Sequence, residues 1–339
     1  MNRRVIQALA LLVLGLLILY GVLRSVHPAQ VAQALQRATP GWILLGAAAY
    51  AAFILVRAWR WQLILEASAR GVRLADTTAV TAVGFAVNSV SPFKLGELVR
   101  IAAIAPRAGI GIGEAGATVV LERVLDVLAL LVLAVAAAVV SGSSRGAGLW
   151  TGVILFALVS LGIGMVAYLM VTYPDRTRRL VAALAGRLPT RLEVRANDLG
   201  DSVIKGFTAL RSPGRLAATG GLSLLTWLCI VLGLIAFFRA VSAQLPVSTL
   251  FLACTIFVVS QAVSITPGSV GTYEGFFLLV LSTFGAGPPA LVTAAAVLGH
   301  ISNVGVLLAA GAVGALYLRL NPARLPVGSQ RPAMGQDRA

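Results

Sequence analysis

The stretch SVSPFKLGELVRI, residues 89–101, places a proline, a glycine and three charged residues inside a chain that is otherwise strongly apolar. Proline removes a backbone donor and clashes with the preceding turn, while glycine admits backbone angles closed to other residues. Pro92 and Gly96 therefore predict a helix that breaks where a membrane span would run straight through. A second stretch, SITPGSVGTYEGF at 264–276, aligns with the first at an offset of 175 residues, pairing Ser89 with Ser264, Ser91 with Thr266, Pro92 with Pro267, Leu95 with Val270 and Gly96 with Gly271. Two breaks in step predict an architectural repeat; a proline kink in each of two ordinary spans is the alternative.

Composition sets the medium. The 339 residues are 58% hydrophobic and only 12% charged, with a mean hydropathy of +0.92, beyond what a soluble core needs. An all-α integral membrane protein is expected, with one polytopic domain over 1–320 and a disordered tail over 321–339. Spans of about 20 residues are expected near 5–23, 41–65, 115–140, 149–173, 216–238 and 289–317. The N-terminal run MNRRVIQALALLVLGLLILYG imitates a signal peptide, but Arg24 follows where a small-residue cleavage site belongs, so a retained first helix is expected.

Between those six spans lie two interrupted apolar segments, 79–104 and 249–286, each holding one motif. Read as re-entrant hairpins, they divide the chain into a first half, 1–173, and a second, 216–320, joined by the polar insertion 174–215. Arginine counting orients it. With both termini cytoplasmic, the inner side receives Arg3, Arg4, Arg57, Arg60, Arg70, Arg73, Arg107 and the cluster from Arg176 to Arg215, against Arg24, Arg37, Arg145 and Arg239 outside. The two hairpins then open from opposite faces, as in an inverted repeat. The insertion carries apolar residues at helical spacing between arginines, which fits amphipathic helices on the inner leaflet or a solvated helix pair. Residues 27–40 predict a short outer interfacial helix.

The net charge of +15 lies between apolar runs and is not interleaved with aromatics on a soluble module, so membrane lipids rather than nucleic acid are the expected partners. Cys229 and Cys254 sit in apolar surroundings and read as small buried hydrophobes. GIGEAG at 111–116 matches a dinucleotide fingerprint in letters only, with no strand before it. No phosphate-binding loop, zinc-protease helix, nucleophile elbow or cysteine–histidine metal spacing is present, so no catalytic residue, metal or cofactor is expected.

Charged residues at membrane depth cost about 2.5–3.5 kcal/mol each on insertion scales, so they are kept where they pair or line a path. Glu97 and Arg100 are three apart and share a helix face; Lys94 adds a charge at the break. In LERVLDVLALL, Arg123 and Asp126 can pair, whereas Glu122 points away from Arg123 and should reach another element such as Arg100. A structural ion cluster and a substrate path both fit these residues. Glu274 can take a proton, bind a cation or favour a helix N-terminus. His300 and Asn303 share a face, as a packing pair or part of a proton path, and Arg57 and Arg60 read as snorkelling arginines beside interfacial tryptophans.

NSVSPFKLGELVRI, LERVLDVLALL and SITPGSVGTYEG, in that order, resemble the bacterial lysylphosphatidylglycerol synthase transmembrane domain family of flippase-like proteins, over about residues 1–320. The family pattern falls on Asn88, Pro92, Gly96, Glu97 and Arg100, on Glu122, Arg123 and Asp126, and on Pro267, Gly268, Gly271 and Glu274. The chain departs from it at Lys94, where arginine is common, and at Ser269, where a second glycine is common. The resemblance implies a lipid translocase of the bacterial inner membrane, without the soluble synthase domain carried by some members, working alone or beside a separately encoded lipid-modifying enzyme. On that reading Lys94, Arg100, Arg123 and Asn88 meet a phosphate-bearing headgroup, and Glu97, Glu122, Asp126 and Glu274 balance charge or carry protons. A transporter of a small soluble solute and a non-transporting partner of a lipid synthase or glycosyltransferase are the competing readings. Gly148 and Gly152 permit the close helix contact of a homodimer.

Overall fold

A computed structural model describes residues 3–67, 69, 71–91, 95–141, 146–187, 189–242, 246–261, 266–285 and 287–319, with backbone alone for 3–11 and 146–149. Among these, thirteen α-helices and no strand are found. They are α1 (Arg3–Ser25), α2 (Pro28–Gln36), α3 (Pro40–Leu65), α4 (Leu74–Val90), α5 (Gly96–Ala108), α6 (Ile112–Val140), α7 (Gly146–Thr172), α8 (Pro174–Ala185), α9 (Thr190–Gly206), α10 (Pro213–Ala240), α11 (Val247–Ser260), α12 (Thr272–Thr283) and α13 (Pro289–Leu318). Proline starts α2, α3, α8, α10 and α13, where its fixed φ suits the first turn and its missing N–H is no loss.

Among the described residues, five helices are long and apolar enough to cross a bilayer: α3, α6, α7 over Trp150–Thr172, α10 and α13. The Leu12–Ser25 part of α1 reaches that measure together with α2, from which it bends by 89°. The protein is a multi-pass integral membrane protein. Large apolar side chains face outward over much of its surface, most densely on α7, where Leu155, Leu158, Val159 and Leu161 are all exposed, as lipid contact requires.

Both expected interruptions are present with shifted bounds. The first is α4 and α5 around residues 91–95, the second α11 and α12 around 261–271, with a 3₁₀ turn at Pro267–Ser269. Pro92 and Lys94 lie outside the described residues. The insertion forms α8 and α9, closed by a 3₁₀ turn at Thr208–Arg211, and residues 28–36 form the short α2. GIGEAG supplies the N-cap and the first turn of α6, where Gly113 lies against Ser202 of α9.

Shifting the chain by the 175 residues that separate the motifs carries α3 onto α10, α4 onto α11, α5 onto α12 and α6 onto α13. The packing partners exchange under the same shift: α3 packs on α10, α4 on α13 as α11 on α6, and α3 on α13 as α10 on α6. Small residues allow the close approaches. A methyl group at Gly314 of α13 would fall 2.7 Å from the Ala79 carbonyl oxygen of α4, and one at Gly46 of α3 would fall 2.5 Å from the Phe237 ring of α10.

Candidate functional site

Below the first break, four helices converge on a buried ion network. Arg57 and Arg60 on α3 are 1% and 0% exposed, Arg100 on α5 is fully buried, and Glu122 and Asp126 project from successive turns of α6. Arg57 reaches Asp126 at 2.8 Å; Arg60 reaches Asp126 at 2.7 Å and Glu122 at 3.1 Å; Arg100 reaches Glu122 at 2.5 Å and Glu97 at 3.0 Å. α10 closes the fourth side, with the Ser223 hydroxyl accepting from Arg60 at 2.9 Å and the Trp227 indole donating to Asp126 at 3.1 Å. The Arg100 guanidinium also lies 4.1 Å from the centre of the Trp61 ring, whose N–H is fixed by Thr118.

The network thins toward its rim. Arg123, with a side chain 46% exposed, bridges Glu97 at 3.2 Å and Asp126 at 3.3 Å. Among the described residues and counted as charged, four guanidinium groups face three carboxylates, which leaves one positive charge in excess. Donors exceed acceptors as well: the Nε atoms of Arg57, Arg60 and Arg100 are buried without a hydrogen-bond partner among the described residues. Gly96 holds this part of the break shut. Its N–H donates to the Asn88 side chain at 2.7 Å, and a methyl group on it would collide with the Gly84 carbonyl of α4.

The second break has a different interior. Gly271, at φ +75°, donates its N–H to Glu274 Oε2 at 2.9 Å and lies against the Gly15 carbonyl of α1, with no room for a side chain. The other Glu274 oxygen is 2.6 Å from His300 Nδ1, and His300 Nε2 is 2.8 Å from the Gly268 carbonyl. Gly268, at φ +60°, also meets the first break: a methyl group there would fall 2.7 Å from the Ser89 carbonyl oxygen.

The residues singled out by sequence fall into two groups. Asn88, Gly96, Glu97, Arg100, Glu122, Arg123 and Asp126 gather at the first break; Pro267, Gly268, Gly271 and Glu274 form the second. The sequence pairings of Glu97 with Arg100, Arg123 with Asp126 and Glu122 with Arg100 are all present. Arg57 and Arg60 correct the snorkelling expectation, because acids on α6 give them buried partners. The signal was available: two arginines three apart within an apolar run are as costly as the acids of α6. His300 turns both ring nitrogens to the second break, to Glu274 and Gly268, so it is not spent on Asn303.

The comparisons with known proteins agree on a membrane family. Residues 7–311 match the model of the lysylphosphatidylglycerol synthase TM region. The chain is 26% identical to the glycosyltransferase AglD of Haloferax volcanii over 92% of its own length, and it spans about half (54%) of that relative. It is 22% identical to a UPF0104 membrane protein of Methanothermobacter thermautotrophicus, covering 91% of this chain and 94% of that one. The ordered motifs, the multi-pass helical fold and a match over nearly the whole chain place this protein in the lysylphosphatidylglycerol synthase transmembrane region family.

Proposed function

We propose that this protein is a lipid translocase, moving an amphipathic lipid with a phosphate-bearing headgroup through a polar path between two re-entrant hairpins while the acyl or prenyl tails stay in the bilayer. One observation carries the reading: a buried network with a positive charge in excess, graded from sealed arginines to the half-exposed Arg123. A phosphate arriving at the rim supplies the missing negative charge and displaces Glu97 from Arg123, gaining a charge-assisted contact. Lys94, beside the same break in sequence, adds a second cation. Arg57, Arg60 and Arg100 then act as positioning groups that hold Glu122, Asp126 and the rim charge in place. The correspondence of α3–α6 with α10–α13, and the exchange of their packing partners, support an inverted repeat whose halves rock against each other to alternate access.

Reconstitution in liposomes tests this. Of fluorescent phosphatidylglycerol, its aminoacylated form and a polyprenyl phosphate, at least one is expected to cross faster than in protein-free vesicles; rates no faster than in protein-free vesicles for all three refute the proposal. Similarity to a protein named as a glycosyltransferase, of which this chain covers about half, favours a second reading as the membrane partner of a sugar-transferring enzyme. That reading requires stable co-purification with such an enzyme, and partner activity unchanged by Arg123→Gln.

A further inference from the structure

The hydrogen bonds around His300 require a proton that neither partner supplies in its ordinary neutral-pH form. A carbonyl oxygen only accepts, so the 2.8 Å contact with Gly268 O obliges His300 Nε2 to carry hydrogen. A neutral imidazole has one N–H, which leaves Nδ1 as a lone pair. That lone pair would face Glu274 Oε1 at 2.6 Å, and the other carboxylate oxygen is already turned to the Gly271 N–H. Two lone pairs do not meet at that distance. A proton must lie between them, on Nδ1 as an imidazolium or on Oε1 as a carboxylic acid, and either placement leaves the pair electrically neutral.

The pair is enclosed by protein. Glu274 and His300 are 5% and 8% exposed. The Tyr273 ring of α12 stacks on the imidazole with centroids 4.5 Å apart. Among the described residues, Tyr50 from α3 and Cys254 from α11 are titratable groups beside Tyr273 on this wall. α1 and α4 contribute the backbone carbonyls of Gly15 and Ser89, and α10 the Phe237 ring beside Gly299. Among the described residues the ion-pair partner of Glu274 is His300 alone. Losing the proton to water therefore leaves a buried negative charge with no cation beside it, and one of the two His300 contacts must break.

We infer that Glu274 and His300 form a proton-binding site that, when loaded, ties α13 to the second break and through Gly268 to the first, and that its unloading frees the break. For its transport consequence this rests on the lipid-moving reading: translocation then follows the unloading of this site.

Two measurements separate the site from the function. The chain has two histidines, so ¹⁵N-histidine labelling in bilayers gives two ring systems, assigned by the variant His27→Gln. Protonation of Nε2 together with a proton shared at Nδ1 is expected at neutral pH; a neutral ring protonated at Nδ1 alone overturns the site, whether or not lipid moves. In proteoliposomes carrying fluorescent phosphatidylglycerol, the initial rate is expected to rise about tenfold as the pH is raised and the site gives up its proton. In Glu274→Gln, whose amide donates permanently to Nδ1, the profile is expected to be flat. A flat profile in the wild type overturns the coupling while leaving translocation standing. No movement of lipid at any pH refutes the translocase reading, and the ring spectra then decide the proton site on their own.

Discussion

Glu122→Gln is the sharpest test of the ion network. The carboxylate is wholly buried and faces three guanidinium groups, Arg100 at 2.5 Å, Arg60 at 3.1 Å and Arg57 at 3.8 Å. Glutamine preserves the shape and one acceptor oxygen but removes the charge, so the excess in the cluster rises from one positive charge to two. Arg100 is then left with Glu97, and Arg57 and Arg60 share Asp126. Removing one partner of a buried pair costs about 3–5 kcal/mol because the remaining charges stay buried. Reversible denaturation in detergent micelles reads this directly, since Trp61 and Trp227 border the network and report its opening. The double variant Glu122→Gln, Arg100→Gln restores the charge difference and is expected to recover part of the loss, with a coupling of about 0.5–3 kcal/mol for groups in contact. A single variant within about 0.5 kcal/mol of the wild type, the range of an ordinary surface change, would refute the claim that Glu122 neutralises buried arginines.

Arg123→Gln removes the exposed cation and takes the cluster to zero net charge; it is expected to shift stability by less than about 1 kcal/mol while lowering phospholipid translocation at least several-fold, measured in parallel on one preparation. Gly96→Ala drives a methyl group into the Gly84 carbonyl and the Asn88 side chain, and should cost about 1–3 kcal/mol of unfolding free energy. Gly271→Ala combines a positive φ with contact against Gly15, whereas Gly285→Ala, also at positive φ, meets open space. Left-handed strain alone is worth about 1–2 kcal/mol, so Gly285→Ala should lose that much and Gly271→Ala distinctly more in the same denaturation assay.

Within each element the sequence was explicit. Six apolar runs of bilayer length marked the positions of α1, α3, α6, α7, α10 and α13, because span length and hydropathy are properties of one segment. Proline and glycine marked the two breaks, and a spacing of three residues paired Glu97 with Arg100 and Arg123 with Asp126, since neighbours on one helix face are fixed by the helical turn.

Tertiary packing decided the rest. Arg60 and Asp126 are 66 residues apart, and Glu274 and His300 are 26 apart across a turn; no periodicity encodes which face of α3 meets α6, or that α13 turns its histidine to the second break. An arginine in an apolar helix reaches for the surface or is buried according to whether a neighbouring helix offers a carboxylate, and only the packed structure supplies that neighbour. The sequence by itself determined where helices run and where they stop; the contact of Gly268 with Ser89 and the joining of seven charges into one network depend on helices brought together from distant parts of the chain, which is where the free energy of burying a charge is decided.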